Sequence, residues 1–273
     1  MRRISDDQQA IEFVISLIYE RAHIRLQPCK ESLIRARLGK RQRALALPTL
    51  VDYCNYLETG NDEQELTHAV DALTTNFTHF LREEDHFRFL AERAIPDMTG
   101  GTRQPIRVWS AACATGEEPY SIAFYLEESF PSISGWDWRV LATDISTKAL
   151  GKATQGVYAG DRIEAIPNAW LRKYFKRGFG DADGYYQVKS QIRERINFRQ
   201  QNLLGQLTIQ DKFQVIFCRN VMIYFDRETQ EKLVRQLCRF LVPGGYLLTG
   251  HSESLTGLSV PLRCLRPSYY QLA

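Results

Sequence analysis

The sequence has no apolar run that approaches the ~20 residues of a transmembrane helix. Its first residues, 1–7, also lack the apolar core of a secretory signal. The six cysteines include no C-x-x-C pair, and several lie in apolar runs, which favours buried thiols in a reducing compartment. These absences predict a cytoplasmic protein that does not insert into a membrane.

Metal-binding motifs are also missing from the sequence. Five histidines are scattered along 273 residues, and none belongs to an H-E-x-x-H or similar constellation, so the sequence predicts no metal site. The chain does have the balance of a soluble globular protein, with 44% hydrophobic and 25% charged residues. Its length leaves room for one large domain or two smaller ones.

Residues 1–73 are predicted to form a helical domain. Asp6 and Asp7 can cap a helix over residues 8–22, whose apolar side chains recur at helical spacing. Further helices are predicted over about residues 30–45, 49–57 and 62–73, because Pro48 and Gly60-Asn61 interrupt the pattern.

The charge of this domain is uneven. Residues 21–43 contain eight Lys or Arg and one acid, whereas residues 51–73 contain six acids and no Lys or Arg. A solvated basic helix face explains this pattern. That is the usual explanation, and the functional alternative is an electrostatic docking surface for nucleic acid or for an acidic protein. The basic segment lacks the interleaved aromatics that would favour single-stranded nucleic acid.

Residues 74–82, T-T-N-F-T-H-F-L-R, are predicted to link this domain to the next and to contribute to the active site. Asn76 and Thr78 can each present a side-chain hydrogen bond. Arg82 offers a fixed charge and a planar donor fork that suits a carboxylate. A plain linker is the alternative.

The stretch Ile106–Ser121, I-R-V-W-S-A-A-C-A-T-G-E-E-P-Y-S, is the centre of the predicted fold. It combines a strand, a turn of small residues and a helix start, where free backbone N–H groups can meet a nucleotide-like ligand. Glu117 and Glu118 argue against a phosphate and suit a ligand with a cation and hydroxyls, such as S-adenosylmethionine. An ordinary turn with acids favoured by the helix dipole is the alternative.

A repeated strand–helix pattern follows this stretch. Residues 138–144 form a strand that ends in Asp144, which suits a ribose diol or a helix cap. Residues 212–218 form a second strand, which ends before Arg219-Asn220. The pattern predicts an α/β fold with a Rossmann-like sheet. Two short alternating runs predict a small antiparallel β-subdomain inserted at about residues 178–201.

Four motifs together resemble the CheR family, whose members are chemotaxis methyltransferases. In chain order they are T-T-N-F-T-H-F-L-R-E, W-S-A-A-C-A-T-G-E-E-P-Y-S, F-C-R-N-V-M-I-Y-F and G-H-S-E-S. The resemblance covers nearly the whole chain. It implies an all-α N-terminal domain over residues 1–73 and a class I S-adenosylmethionine-dependent methyltransferase domain over residues 83–273, with a small β-subdomain.

The resemblance also implies roles for individual residues. Arg82 and Tyr224 match residues close to the transferred methyl group, although Tyr224 alone would read equally well as a core aromatic. The positions that match cofactor-binding residues are Asn76, Thr78, Arg82, Glu118, Asp144, Asn202, Leu203, Cys218 and Arg219.

The activity implied by the resemblance is esterification of glutamate side chains, with S-adenosylhomocysteine as the second product. The implied partners are chemoreceptor cytoplasmic domains with acidic methylation helices, and a receptor C-terminal peptide at the β-subdomain is a further candidate. Nucleic acid is not an expected partner.

Two other functions remain open from the sequence. Nucleic-acid N-methyltransferases often carry N-P-P-Y where this chain has R-N-V-M at residues 219–222, and the missing prolines disfavour that function. An inactive adaptor that only senses S-adenosylmethionine would be expected to lose Arg82, Glu118 or Asp144, and all three are present.

Overall fold

The computed structural model describes residues 4–25, 31–74 and 76–273. Within these ranges the N-terminal part is helical, as predicted. Its helices are α1 (Asp7–Ala22), α2 (Glu31–Ala44), α3 (Leu50–Glu58) and α4 (Glu63–Leu73). The predicted start of the second helix, Lys30, lies outside the described residues.

Side-chain caps fix where these helices begin. Asp6 before α1 and Asp62 before α4 each accept a hydrogen bond from a backbone N–H of the first turn. Thr49 and Asp52 form a reciprocal capping box at the start of α3. The apolar faces of the helices then pack on one another around side chains such as Tyr53, which is fully buried.

Several basic residues of α2 make contacts with the other helices of this domain. Arg41 pairs with Glu65, a nearly buried carboxylate that also accepts a 2.6 Å hydrogen bond from Tyr53. Arg35 lies 3.0 Å from a carboxylate oxygen of Asp7. Arg37 donates to backbone carbonyls at the end of α4. These contacts hold α2 against α1, α3 and α4.

The rest of the chain is built on two sheets. The strands are β1 (Ile106–Ala111), β2 (Trp138–Asp144), β3 (Val157–Ala159), β4 (Phe175–Arg177), β5 (Tyr185–Val188), β6 (Ile196–Gln200), β7 (Phe213–Cys218), β8 (Leu241–Thr249), β9 (Leu262–Arg266) and β10 (Tyr269–Leu272). The helices are α5 (Asp85–Phe89), α6 (Ile95–Thr99), α7 (Glu117–Ser129), α8 (Thr147–Gln155), α9 (Asn168–Tyr174), α10 (Ser190–Arg193) and α11 (Arg227–Cys238).

The main sheet has the order β6-β2-β1-β7-β8-β10-β9. Strands β6, β2, β1, β7 and β8 are parallel, and β10 and β9 close the sheet as an antiparallel hairpin. Its strand residues alternate between two hydrophobic clusters: Val215 and Phe217 belong to one, Ile216 and Cys218 to the other. The predicted fold class is confirmed.

The small antiparallel sheet is present, but its bounds differ from the prediction. Its order is β3-β5-β4, so it spans residues 157–188 rather than 178–201. Residues 196–200 form β6, which pairs in parallel with β2 at the edge of the main sheet. The prediction was wrong there because a half-buried edge strand has the same alternating pattern as an antiparallel strand.

Within the described ranges, the chain has no helix with the length and apolar character needed to cross a membrane.

Candidate active site

The turn between β1 and α7 forms one wall of a cleft at the carboxyl ends of the parallel strands. The backbone is left-handed at Ala112, Ala114 and Gly116, with φ values of 70°, 48° and 98°. Gly116 is needed for packing, because a Cβ there would lie 2.8 Å from both the Ala153 Cβ and the Tyr158 hydroxyl. The turn therefore lies tightly against α8 and β3, while the two alanines line the cleft.

Nearly all the residues predicted for the site come together here. Those that line the cleft are Asn76, Thr78, Arg82, Glu118, Asp144, Asn202, Leu203, Arg219 and Tyr224. They come from the linker, the start of α7 and the segments that follow β2, β6 and β7. This is where ligands bind in open α/β sheets.

Cys218 is the exception among the predicted residues. It is the last residue of β7, is fully buried and packs in a hydrophobic cluster of the main sheet. Burial raises the pKa of its thiol well above the ordinary value. The side chain is therefore a neutral part of the core and does not line the cleft.

Asp144 connects the cleft to the turn. One carboxylate oxygen accepts the Ala114 N–H and the other accepts the Ser146 N–H, both at 2.8 Å. Burial raises the pKa of this carboxyl above its ordinary value, although the two N–H hydrogen bonds act in the opposite direction. Ser146, not Asp144, caps α8, since its side chain accepts the Ala149 N–H. The helix-cap interpretation of Asp144 was therefore wrong.

The two acids at the start of α7 have different surroundings. Glu117 is fully buried and pairs with Arg162, from the turn after β3. Glu118 lines the cleft, accepts a 2.7 Å hydrogen bond from Ser110 and lies 3.4 Å from a guanidinium nitrogen of Arg219. Burial raises the pKa of Glu118, while the Arg219 charge lowers it. Glu118 is therefore the acid placed to meet a ligand.

Arg219 is a buried cation in the cleft wall, with 1% of its side chain exposed. It lies between Glu118 and Glu83, 3.1 Å from the latter, and donates to the Arg82 carbonyl. Its guanidinium carbon lies 5.2 Å from the ring centre of Phe87. Its Nε and Nη1 have no hydrogen-bond partner among the described residues. Nη1 is the nitrogen that lies 3.4 Å from Glu118, so Nε is the N–H group left to suit an anionic or carbonyl group of a ligand.

The linker is held in place by its neighbours. Arg162 donates a 2.8 Å hydrogen bond to the Thr78 carbonyl as well as pairing with Glu117. The Arg82 side chain donates to the Phe77 carbonyl at 3.3 Å. The small sheet, α7 and the linker are thus joined at Arg162, a contact that no sequence motif indicated.

The N-terminal domain completes the cleft. Ala22 and Ile24, at the end of α1, line it opposite the sheet. Asn202 donates a 2.8 Å hydrogen bond to the Arg21 carbonyl, and the Arg25 N–H donates to the Tyr224 carbonyl at 3.2 Å. Leu203 is buried and packs in a hydrophobic cluster of the main sheet. Asn202 therefore holds the two domains together as well as lining the cleft.

Tyr224 lies on a loop that one buried acid organises. The Glu253 carboxylate accepts the N–H groups of Asn220, Met222 and Gly250, each at 2.7 Å, and that of Ile223 at 3.3 Å. Glu253 belongs to the quoted motif G-H-S-E-S but had no predicted role. The sequence signal that could have indicated this role is the position of Glu253, an acid that closely follows the end of β8.

Two further cleft residues were missed although they lie within the linker motif. Phe77 is 69% exposed and His79 is exposed beside it, with ring centres 6.2 Å apart. Although His79 is exposed, partial desolvation of its ring and the nearby charges of Arg82 and Arg162 lower its pKa below the ordinary value. An exposed aromatic side chain and a neutral imidazole therefore lie at the mouth of the cleft.

The residues of the cleft fit S-adenosylmethionine. The carboxylate of Glu118, with 13% of its side chain exposed, and the buried carboxylate of Asp144 suit an ammonium group and a ribose diol. The Nε–H of Arg219 suits a carboxylate or carbonyl oxygen. The small side chains of Ala112 and Ala114 leave the backbone accessible. This donor set combines both charge signs, as the cofactor does.

Comparison with known proteins agrees with this chemistry. Residues 76–270 match the "CheR methyltransferase, SAM binding domain", and residues 9–74 match the "CheR methyltransferase, all-alpha domain". The "Chemotaxis protein methyltransferase" of Escherichia coli K12 is 40% identical over 246 residues, which are 90% of this chain and 84% of the relative. "Chemotaxis protein methyltransferase 2" of Pseudomonas aeruginosa is 39% identical over 257 residues, which are 94% and 90% of the two chains.

One similar solved structure is more distant in sequence. The glycopeptide N-methyltransferase MtfA complexed with sinefungin is 16% identical, covers 66% of this chain and 56% of its own, and has a TM-score of 0.36, too low to carry an argument. The sequence matches alone, which cover both domains, show that the chain belongs to the CheR family of S-adenosylmethionine-dependent chemotaxis methyltransferases.

Proposed function

We propose that the protein methylates the side-chain carboxylates of specific glutamates in the cytoplasmic domains of bacterial chemoreceptors. The products are glutamate methyl esters and S-adenosylhomocysteine, and the reaction takes place in the cytoplasm. The observation that carries the proposal is a cleft with two arginines, Arg82 and Arg219, beside the acids Glu118 and Asp144. The acids suit the cationic and hydroxyl groups of the methyl donor, and the two arginines suit carboxylates.

Each arginine has its own proposed role. Arg219 is held in the cleft wall by Glu83 and Glu118, so it is placed to bind the cofactor. Arg82 is part of the linker, and its hydrogen bond to the Phe77 carbonyl uses one of the five N–H donors of the guanidinium. Arg82 therefore retains donors that can orient the acceptor carboxylate.

The chemistry requires alignment more than proton transfer. When bound, S-adenosylmethionine supplies a methyl group on a sulfonium, open to in-line attack. A glutamate side chain is already an anion near pH 7, since its reference pKa is about 4.3, so no base has to activate it. Attacker and donor both lose charge on the way to the transition state, so a cleft that excludes water assists. Arg82 and Tyr224 are proposed to align the carboxylate, which supplies much of the rate.

Two surfaces are proposed to hold the receptor. The first is the exposed pair Lys40 and Arg43 on α2, which fits an acidic receptor helix. The second is the small sheet, where β3 and β4 are both edge strands and an extended receptor C-terminal peptide can add as a further strand. Phe179 lies after β4 and is 81% exposed, so it offers such a peptide an apolar contact.

Labelled S-adenosylmethionine tests the reaction type. The protein is incubated with receptor cytoplasmic fragments, and the labelled product is treated with mild alkali. Volatile label released by alkali identifies methyl esters, whereas label that stays on the fragment indicates N-methylation and overturns the proposal. A fragment with its candidate glutamates replaced by glutamine is the matched control and should take up no label.

A further inference from the structure

A second group of side chains lies behind Arg219, at the back of the cleft wall. Glu83 precedes α5, His86 lies in α5, and His251 follows β8. One potential ligand atom from each of the three lies within 4.8 Å of the others. The chain places His86 and His251 far apart in sequence, so motif spacing could not indicate this group.

His86 is the observation that requires an explanation. Its side chain is fully buried, and neither ring nitrogen has a hydrogen-bond partner among the described residues. Buried polar atoms without a partner are rare. The ring is held edge-on between His251 and Tyr269, with ring centres 5.1 Å and 4.7 Å away. The ring is therefore fixed in place while neither nitrogen makes a hydrogen bond to a described residue.

The spacing of the group suits a metal ion. The Nδ1 of His86 lies 3.4 Å from a carboxylate oxygen of Glu83. Ligand atoms bound tetrahedrally to zinc at about 2.0–2.2 Å are separated by roughly 3.3–3.6 Å. His251 is half exposed, with 54% of its side chain accessible, which gives an ion a route from solvent.

A further carboxylate can orient the exposed histidine. One oxygen of Asp85 lies 3.4 Å from Nε2 of His251, and its other oxygen accepts a hydrogen bond from the Tyr269 hydroxyl. A metal-bound histidine commonly donates its second ring N–H to a carboxylate in this way. Asp85 thus leaves Nδ1 of His251 as the ring nitrogen available to an ion.

We propose that Glu83, His86 and His251 form a binding site for a zinc-class divalent ion, with Asp85 orienting His251. Imidazole and carboxylate ligands suit zinc and cobalt. Three protein ligands leave a fourth position open to water. The Arg219 guanidinium, 3.1 Å from Glu83, repels a cation, so we expect affinity of about 1–10 μM, weaker than that of a structural zinc site.

Titration with Co²⁺ and Zn²⁺ alone tests this site on the full-length chain. The protein carries Cys264→Ser, because Cys264 is an exposed free thiol. We expect one Co²⁺ per chain with the visible absorbance of four-coordinate cobalt, displaced by Zn²⁺. His251→Ala removes an exposed ligand and should weaken binding by more than the roughly 10–100-fold typical of an outer-shell change.

The matched control is His68→Ala. His68 also lies 3.4 Å from a carboxylate, that of Glu65, but it belongs to no such three-residue group among the described residues. It should leave Co²⁺ affinity unchanged. Absence of saturable binding below about 100 μM, or equal affinity in the intact protein and in His251→Ala, overturns the site. Circular dichroism of each variant shows that the comparison is made between folded proteins.

Discussion

At the scale of single residues, the structure gives Asp144 two tasks. Its carboxylate holds the backbone of Ala114 and Ser146, and it lines the cleft. Glu118 and Arg219 likewise contact other groups of the protein and line the cleft. Single substitutions at these positions therefore need controls that separate loss of ligand contacts from loss of local order.

Asp144→Asn is expected to weaken binding of S-adenosylhomocysteine. Loss of charge-assisted hydrogen bonds of about 1.5–3 kcal/mol corresponds to roughly a 10–150-fold lower affinity. Calorimetric titration measures this. Asp71→Asn is the matched control, because Asp71 also accepts a backbone N–H, from Thr147, but does not line the cleft. Equal affinity in folded Asp144→Asn and in the intact protein would remove Asp144 from the site.

Arg82→Lys is expected to slow methyl transfer more than it weakens cofactor binding. Lysine keeps the charge but loses the planar donor fork that aligns a carboxylate. Single-turnover rates and S-adenosylhomocysteine affinity, measured on the same variant, separate the two effects. Arg88→Lys is the control, since Arg88 is exposed on α5. A larger effect on affinity than on rate would assign Arg82 to the cofactor instead.

At the scale of elements, the sequence predicted the turn, the helices and the central strands because their signals are local. The cap at Asp6, the breaks at Pro48 and Gly60-Asn61, and the small-residue turn before Glu117 each act within a few residues. The predicted bounds of the small sheet were wrong because strand pairing is not local. Residues 196–200 have an alternating pattern that fits either sheet, and only pairing with β2 decides between them.

The same limit applies to the site. Motif residues at strand ends converged in the cleft because the carboxyl ends of parallel strands meet at one edge. Arg162 and the histidine pair His86 and His251 were missed because their contacts join distant parts of the chain. Cys218 was assigned by its motif position, but the alternation of β7 directs its side chain into the core.

The small sheet is expected to bind receptor C-terminal peptides through an apolar contact at its tip. Phe179→Ser removes an exposed ring without disturbing the core. If the ring is buried by the peptide, its loss costs about 1.5–3 kcal/mol, or roughly 10–150-fold in affinity. Ile133→Ser, at a site that is 95% exposed elsewhere, is the control. A peptide titration that gives no signal with the intact protein would contradict strand addition here.

The α2 surface is expected to steer the receptor. Lys40→Glu with Arg43→Glu should weaken receptor methylation and spare S-adenosylhomocysteine affinity. The substitutions avoid Arg35, Arg37 and Arg41, whose contacts hold the helical domain together. Added salt should mimic the variant, because exposed charges are screened over ~8 Å at physiological ionic strength.

The control for this surface reverses two exposed basic residues elsewhere, Lys152 and Arg103. It changes the net charge by the same amount. If both double variants methylate the receptor as fast as the intact protein at every salt concentration, α2 is only a solvated basic face.

At the scale of the whole molecule, the cleft exists only where the two domains meet. Ala22 and Ile24 of the helical part face Asp144 and Arg219 of the sheet, and the linker crosses between them. Asn202 donates to the Arg21 carbonyl in the last turn of α1, and the Tyr224 carbonyl accepts the Arg25 N–H just after this helix. The geometry of the cleft therefore depends on how the helical domain lies against the sheet.

The pH dependence of methyl transfer tests the central mechanistic claim, attack by an ionised carboxylate that needs no base. Among the described residues that line the cleft, His79 is the histidine that could act as a base. The pKa of His79 lies below its ordinary value. Above about pH 6.5 the imidazole is therefore neutral, and its titration gives no inflection in the rate of methyl transfer. Guanidinium groups stay charged throughout. The acceptor carboxylate loses its charge only in acid.

Rapid-quench single turnovers on a receptor fragment, from about pH 5 to pH 8.5, provide this measurement. We expect a rate that is nearly constant between about pH 6.5 and 8 and falls only in acid as the acceptor carboxylate gains a proton. His79→Gln should retain the same flat profile. A tenfold rise per pH unit through neutrality, or a rate that collapses in a folded His79→Gln variant, would show that a base is required and would contradict the mechanism.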